Sequence, residues 1–337
     1  MEGFPDIAVN ISARSVREAI AWGAAVESAG VARLGVWDSP VVVPECWTLL
    51  GALSQHVSAV PLGVTVTNPV TRHPVVTASA LAALAEVSAG GVFLGVGTGD
   101  SGVYNLAGRA STLAGLREYV TCVRELLAEG RSRWRGGEVF LDRPPAARVP
   151  VLVAAHGLRS LAVAAEIGDG VIVGLGHSAD VVAEVERVVH RVCAEVGREA
   201  PELWWNTGSV AVDEDPERAV AASGWIVAAH AHHFARFGMR GKAVPAEYRD
   251  GVEELGRRYD LTRHGRQSEE GRRRYVESAV ELGVWEYLRD RFVVAGTEAE
   301  VRDRLRELWA RGVRRVEMGT SAGGVEAVLP VLAVARG

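Results

Sequence analysis

The segment 61-PLGVTVTNPVTRHPVVTASALAALAEVSAGGVFLGVGTGDSG-102 contains one complete repeating unit of the fold. It opens with 61-PLGVTVT-67, an apolar, β-branched run that reads as a strand. The chain then turns through 68-NPVTRHP-74, where Asn-Pro breaks the strand and Pro74 suits a first helical position. In 74-PVVTASALAALAEVSAG-90 apolar residues fall at helical spacing until the closing glycine. A second apolar run, 91-GVFLGVG-97, follows and ends in Thr98, Gly99, Asp100 and Ser101. Apolar strands of this kind fit a sheet covered on both faces, and strand–helix–strand with short connections implies a parallel sheet.

The same alternation extends in both directions. Strand signals stand at 6-DIAVNI-11, 33-RLGVWD-38, 150-PVLVAA-155, 170-GVIVG-174, 203-LWWNTGSVAV-212 and 313-VRRVEMG-319. Helical periodicity fills 14–30, 45–57, 110–130, 158–168, 178–197, 298–312 and 323–335. Eight strands in 337 residues favour an α/β fold of the closed (β/α)8 TIM-barrel type over an open doubly wound sheet. Two insertions are expected in a single domain spanning 1–337. One is a hairpin at about 131–149, signalled by the Gly-Gly turn in 134-WRGGEVFLD-142. The larger is a helical segment at about 214–290, before the last strand. It carries 228-AAHAHHFARFGMRGK-242 and the charged run 263-RHGRQSEEGRRRY-275, and is expected to lie over one end of the barrel.

Composition narrows the function classes. Hydrophobic residues make up 48% of the chain, enough for a sizeable core, and the net charge of -5 is spread without an acidic or basic tail. That argues against nucleic acid or an anionic membrane as a partner. Cys46, Cys122 and Cys193 are too scattered for a zinc motif or a disulfide framework. No apolar run reaches the roughly 18 residues of a membrane span, and the first residues do not read as a signal peptide. A cytoplasmic location is expected. Lys242 is the one lysine among 37 basic residues, which reads as a coding bias.

In a (β/α)8 barrel the active site forms at the C-terminal ends of the strands, so polar residues there are aimed by the fold. After the second strand, Asp38 either accepts a hydrogen bond from a ligand or caps the next helix. After the third, turn chemistry explains part of 65-TVTNPVTRHP-74, and a binding role is assigned to Thr65, Val66 and Asn68. After the fourth, Gly99 allows close backbone approach, with Asp100 and Ser101 beside it. Neither G-x-G-x-x-G nor P-loop spacing is present. After the fifth, Ala155, His156 and Gly157 lead into a helix start where backbone N–H groups, Arg159 and Ser160 suit a phosphate. After the sixth come Gly174, Gly176 and His177. Trp204, Trp205 and Asn206 precede the seventh apolar run, at its far end. His230, His232 and His233 lack a carboxylate or cysteine at ligand spacing, so no metal site is assigned.

Taken together, WDSP after the second strand, TNPVTRHP after the third and GVFLGVGTGDS at the fourth resemble the bacterial luciferase-like superfamily. PVLVAAHGLRSLAVAAEIGDGVIVG and AGTEAEVRDRLRELWARGVRRV add to the match, which covers nearly the whole chain. Within that superfamily the chain looks most like deazaflavin (F420)-dependent reductases of the methylenetetrahydromethanopterin reductase type. The resemblance implies a barrel that holds a flavin-type tricycle at its C-terminal face. It implies a bulge with a non-prolyl cis peptide, falling at Thr65-Val66. It puts Asp38, Gly99, Asp100 and Ser101 at cofactor-facing positions and the 155–160 loop at the cofactor phosphate. Sugar-phosphate dehydrogenases of this family carry a His directly after the strand-two Asp, whereas this chain has Ser39.

The expected activity is hydride transfer between coenzyme F420 and a C=C, C=N or C=O group of a small organic substrate. Asp100 and His177 are the candidates for the proton. The alternative is an FMNH2-dependent monooxygenase, with FMN as cofactor and the 214–290 insertion as a lid. A non-catalytic flavin-binding barrel is the third reading. Family habit favours a homodimer.

Overall fold

The structure, a computed structural model, describes residues 3–263, 267–320 and 323–336. The chain begins as β1 (Asp6–Ile11), α1 (Val16–Ser28), β2 (Arg33–Val36), α2 (Cys46–Leu53), β3 (Leu62–Thr67), α3 (Pro74–Val87) and β4 (Val92–Val96). A short α4 (Ser101–Tyr104) and the longer α5 (Leu113–Glu129) follow, then a hairpin of β5 (Arg131–Trp134) and β6 (Gly137–Phe140). Next come β7 (Val151–Ala155), α6 (Leu158–Ile167), β8 (Gly170–Val173), α7 (Ala179–Val196) and β9 (Glu202–Asn206). The insertion comprises β10 (Ser209–Val212), α8 (Pro216–Ala222), α9 (Gly224–Phe237), α10 (Arg249–Arg257), α11 (Glu269–Glu281), α12 (Trp285–Phe292) and β11 (Val293–Gly296). The chain finishes as α13 (Glu298–Ala310), β12 (Arg315–Gly319) and α14 (Leu329–Arg336).

Eight strands close into a parallel barrel in the order β1-β12-β9-β8-β7-β4-β3-β2, a TIM barrel ringed by helices. Its strands bury two faces against different partners. Val9, Leu34, Val64, Leu94, Val153, Val171 and Val316 point outward and are fully buried against the helix layer. Truncating one of them to alanine removes several methyl groups from a closed core, a loss of about 2–5 kcal/mol for a leucine. The inward face carries a separate cluster of Ala8, Phe93, Leu152, Ile172 and Trp204, with Val66 and Ala154 at its edge.

A buried ion pair sits inside the barrel with that cluster. Arg33 of β2 donates to Glu317 of β12, and both are almost wholly buried. The Arg33 guanidinium lies 3.7 Å over the Trp204 ring and 4.8 Å over Phe93. Burial pulls Arg33 down and pushes Glu317 up from their ordinary values, and their mutual attraction opposes both shifts. Gly35 makes room above: a Cβ there would stand 2.2 Å from Thr65 Oγ1 and 2.4 Å from Asn10 Oδ1.

The seventh strand is shorter than the sequence reading had it. β9 ends at Asn206, and the chain breaks at Thr207 and Gly208, where φ is +66°. The following run, Ser209–Val212, leaves the barrel and pairs in parallel with β11. Trp204, Trp205 and Asn206 therefore form the barrel strand itself. The error came from reading 203–212 as one apolar run across a Thr-Gly break. β10 and β11 bracket the insertion, whose helices pack a core of their own around Val227, Ala231, Phe234, Leu255, Leu288 and Phe292. Of the charged run at 263–275, residues 264–266 lie outside the described residues. No helix among the described residues is long and apolar enough to cross a membrane.

Candidate active site

The ends of β2, β3 and β4 are knitted together by short polar side chains. The Thr67 hydroxyl donates to Asp38 Oδ2 at 2.6 Å. Ser39 and Ser101 face each other, Oγ to Oγ, at 2.9 Å. Asn68 Oδ1 accepts from the Val70 and Thr71 N–H groups at 2.9 and 3.0 Å and from the Thr71 hydroxyl at 3.2 Å. That oxygen is fully engaged in the turn, the local role weighed for it from sequence. Gly102 has no room for a side chain, because a Cβ would lie 2.4 Å from the Asp38 carbonyl oxygen. Gly99 adopts φ +102°, which a larger residue reaches only with strain.

Below these groups the surface is apolar. The peptide bond Thr65–Val66 is cis, and the β3–β4 register slips between Val64 and Thr67. Thr65 donates inward to Asn10 Oδ1 at 2.8 Å, while Val66 packs against the inner cluster. A Cβ on Gly97 would stand 3.4 Å from Val66 Cγ2 and 3.5 Å from Ala154 Cβ. Val66, Gly97 and Ala154 thus form one floor across β3, β4 and β7. Asp38, Asp100 and Ser101 follow the ends of β2 and β4, the strands on either side of β3.

The β7 end supplies cationic and aromatic groups. Lys242, from the insertion, donates to the His156 carbonyl and sits 3.4 Å from where a Gly157 Cβ would be. Burial, followed by the Arg291 guanidinium, brings its ammonium down to about 8. Arg291 fixes the segment by donating to the Leu175 carbonyl at 2.6 Å and to the Lys242 and Ala243 carbonyls at 2.5 and 2.9 Å. The insertion also closes over the start of α6: the Leu158 N–H donates to the Gly241 carbonyl at 2.9 Å. Ser160 Oγ donates to the Gly157 carbonyl at 2.9 Å, and Arg159 is exposed. An ammonium beside the N-terminus of α6 suits an anion.

α9 lines the mouth from above. His156 stacks edge-on with His233 at 4.5 Å, and His233 Nδ1 lies 3.4 Å from Asp100 Oδ2. Burial holds the His156 imidazole well below its ordinary value, helped by His233, His230 and Lys242. Burial also lowers His233, against the upward pull of Asp100. His232 faces elsewhere, toward the Gly256 carbonyl at 3.0 Å. Among the described residues no group of acids, histidines and cysteines is arranged to hold a metal.

The residues read from the end of the sixth barrel strand do not join this mouth. The His156 ring fills the space over Gly174, where a Cβ would lie 1.5 Å from it. Gly176 is covered by Arg291 and Phe292 of α12. His177 is fully buried, with Arg304 3.4 Å from its Nδ1 and Arg311 donating to its carbonyl. Burial, followed by the two guanidinium groups, holds its imidazole well below the ordinary value, and its enclosure away from the mouth keeps it from exchanging a proton with a bound substrate. The insertion packs over the β8 end, which a reading of strand ends alone does not register. That same reading did not single out Thr67 or Lys242 as rim residues and weighed His230 and His233 only as metal ligands. The i, i+3 spacing of His230 and His233 on one helix face was the available signal.

The luciferase-like monooxygenase family model matches residues 5–315. A 5,10-methylenetetrahydromethanopterin reductase from Archaeoglobus fulgidus is 28% identical over 294 residues, covering 82% of this chain and 82% of that protein. The coenzyme F420-dependent tetrahydromethanopterin reductase of Methanopyrus kandleri superposes with a TM-score of 0.71 at 19% identity, covering 98% of this chain and 97% of that one. The monooxygenase RslO1 of Streptomyces bottropensis gives a TM-score of 0.68 at 18% identity, covering 98% of both chains.

Proposed function

The chain belongs to the luciferase-like monooxygenase family of flavin- or deazaflavin-dependent oxidoreductases, and from that premise we propose that it uses coenzyme F420 to transfer a hydride to or from a C=C, C=N or C=O group of a small organic substrate. The observation that carries this reading is the apolar floor of Val66, Gly97 and Ala154, with the hydrogen-bonding groups of the β2, β3 and β4 ends beside it and Lys242 at the β7 end. The named activity of the Archaeoglobus relative supports the choice of cofactor.

Bound there, a reduced deazaflavin supplies the hydride, and the protein supplies orientation and electrostatics. Asp38, held by Thr67, and Ser101, held by Ser39, anchor the polar edge of the ring. Gly99 lets the backbone approach it. Lys242 and the N-terminus of α6 at Gly157 hold the phosphate. Asp100 and His233 hold the proton exchanged with the substrate, between Oδ2 and Nδ1. α9 and the Met239–Val244 segment exclude water from the mouth.

A second reading, an FMNH2-dependent monooxygenase, is favoured by the same cover over the mouth, since oxygen chemistry on a flavin requires a water-excluded site. The likeness to RslO1 is consistent with it. Calorimetric titration of the purified protein with F420 and with FMN separates the two. The proposal expects F420 to bind at micromolar concentration and FMN far more weakly. Micromolar binding of FMN alone would replace it with the monooxygenase reading, and binding of neither would remove both.

A further inference from the structure

The C-terminal face has a second concavity, diametrically across the barrel from β7. It opens just past the ends of β1, β2 and β12, which are neighbours in the closed sheet. Its volume is about 240 Å³, and its walls include Ser12, Arg14, Trp22, Trp37, Arg272 and Thr320. Trp37 directly precedes Asp38, so this cavity and the apolar floor share the end of β2. We propose that the cavity binds the oxyanion end, carboxylate or phosphate, of a small substrate with a flat apolar body.

Two guanidinium groups, of Arg14 and Arg272, line this space. Along α11, Arg273 and Arg274 reach Glu269 and Glu270 at 3.9 and 2.5 Å. Arg272, between Gly271 and Arg273, has no acidic partner among the described residues. Its Nη1 donates only to the Gln267 carbonyl at 3.3 Å, and its Nε is buried without an acceptor. A guanidinium in this state retains the fork of donors that fits a carboxylate or phosphate. Arg14, on the opposite wall, has no acidic partner for its side chain among the described residues. Glu18 is the one acid on the wall, and its Oε2 is already bonded to the Arg14 backbone N–H at 2.6 Å.

The position of Arg272 is set by helix packing. A Cβ on Gly224 would lie 2.1 Å from the Arg272 carbonyl, so α9 and α11 touch backbone to backbone there. Ser12 and Thr320 extend the polar wall: the Ser12 N–H donates to Thr320 Oγ1 at 3.0 Å, and their hydroxyls stand 3.2 Å apart. Trp22 and Trp37 add large aromatic side chains to the wall, suited to an apolar planar body. A substrate anchored here points its uncharged part toward the shared β2 end, away from Lys242.

This inference deepens the proposed function and rests on it only for placing a redox ring next to the cavity. The test is calorimetry on the full chain, with and without F420, using cinnamate and phenyl phosphate as probes and cinnamamide as the uncharged control. The expected result is binding of an acid but not the amide. Arg272→Gln should weaken that binding by about tenfold or more, and Arg272→Lys should recover part of it, with F420 affinity unchanged. Preference for cinnamate or for phenyl phosphate tells carboxylate from phosphate. Arg14→Gln, at an exposed position, gives the same reading if the Arg272 variants fail to fold. Equal binding of amide and acid, an unchanged affinity in Arg272→Gln and Arg14→Gln, or no binding of either acid overturns the inference. If the acids bind through Arg272 but F420 does not bind, the cofactor proposal falls and this one stands.

Discussion

Thr67 and Asp38 are joined by a 2.6 Å hydrogen bond that ties the end of β3 to the end of β2. Thr67 is fully buried, and Asp38 is only partly so. The buried hydroxyl thus fixes the carboxylate from beneath. Thr67→Val keeps the shape and removes the donor. It should cost about 1 kcal/mol of stability, as for a single hydrogen bond, and weaken F420 several-fold. Denaturant titration and cofactor titration on the same preparation separate the two effects.

Gly97 tests the floor directly. A valine there would press against Val66 and Ala154, whose atoms stand 3.4 and 3.5 Å from the Cβ position. The fold accommodates that contact, but the added methyl groups occupy the space assigned to the ring. Gly97→Val should leave the melting temperature within a few degrees and reduce cofactor affinity by about tenfold or more. An unchanged affinity would move the ring elsewhere.

Lys242 links binding to pH. Its ammonium titrates at about 8 in the folded chain against 10.5 for an ordinary lysine. Between those values the unfolded chain holds a proton that the folded chain has released, so raising the pH through this window favours the folded state. The stability of wild type relative to Lys242→Met should therefore rise from pH 8 to 10.5. F420 affinity of the wild type should fall over the same range as the ammonium is lost. A flat stability difference in denaturation curves across this range would contradict the assignment.

Acid has the opposite effect. Burial holds His156 and His177 well below the ordinary 6.5, so both favour the neutral imidazole while the unfolded chain takes up protons. Stability should fall as pH drops from about 6.5 toward 5. His177→Asn should reduce that slope without changing cofactor affinity, because His177 lies outside the mouth. Denaturation curves at pH 7, 6 and 5 measure the slope.

The Arg33–Glu317 pair makes a stability prediction with no direct part in binding. Glu317→Gln leaves the guanidinium charged among Trp204 and Phe93 without its counter-ion. Breaking a buried pair from one side costs about 3–5 kcal/mol. Arg33→Met together with Glu317→Leu should recover much of that loss in chemical denaturation.

The legible parts of this molecule are those encoded by near neighbours in the chain. Apolar runs at 62–67 and 92–96 became β3 and β4, and Pro74 opens α3 as its position suggested. The rim positions Asp38, Gly99 and Ser101 followed from strand ends once the barrel was inferred. The break at Thr207-Gly208 was misread because an apolar run carries no mark of which sheet it enters. Lys242 looked like a trace of coding bias, since nothing near it in sequence hints that its ammonium reaches the His156 carbonyl, 86 residues away.

The sequence by itself determined the closed barrel and the rim on which a site forms, because period and turn chemistry are local properties of the chain. Tertiary structure alone decided which polar groups meet. Arg33 and Glu317 pair across 284 residues because barrel closure brings β1 between β2 and β12 and turns both side chains inward. His177 was closed off, and Lys242 and Arg272 brought to the rim, by the packing of one long insertion, whose contacts no local periodicity records.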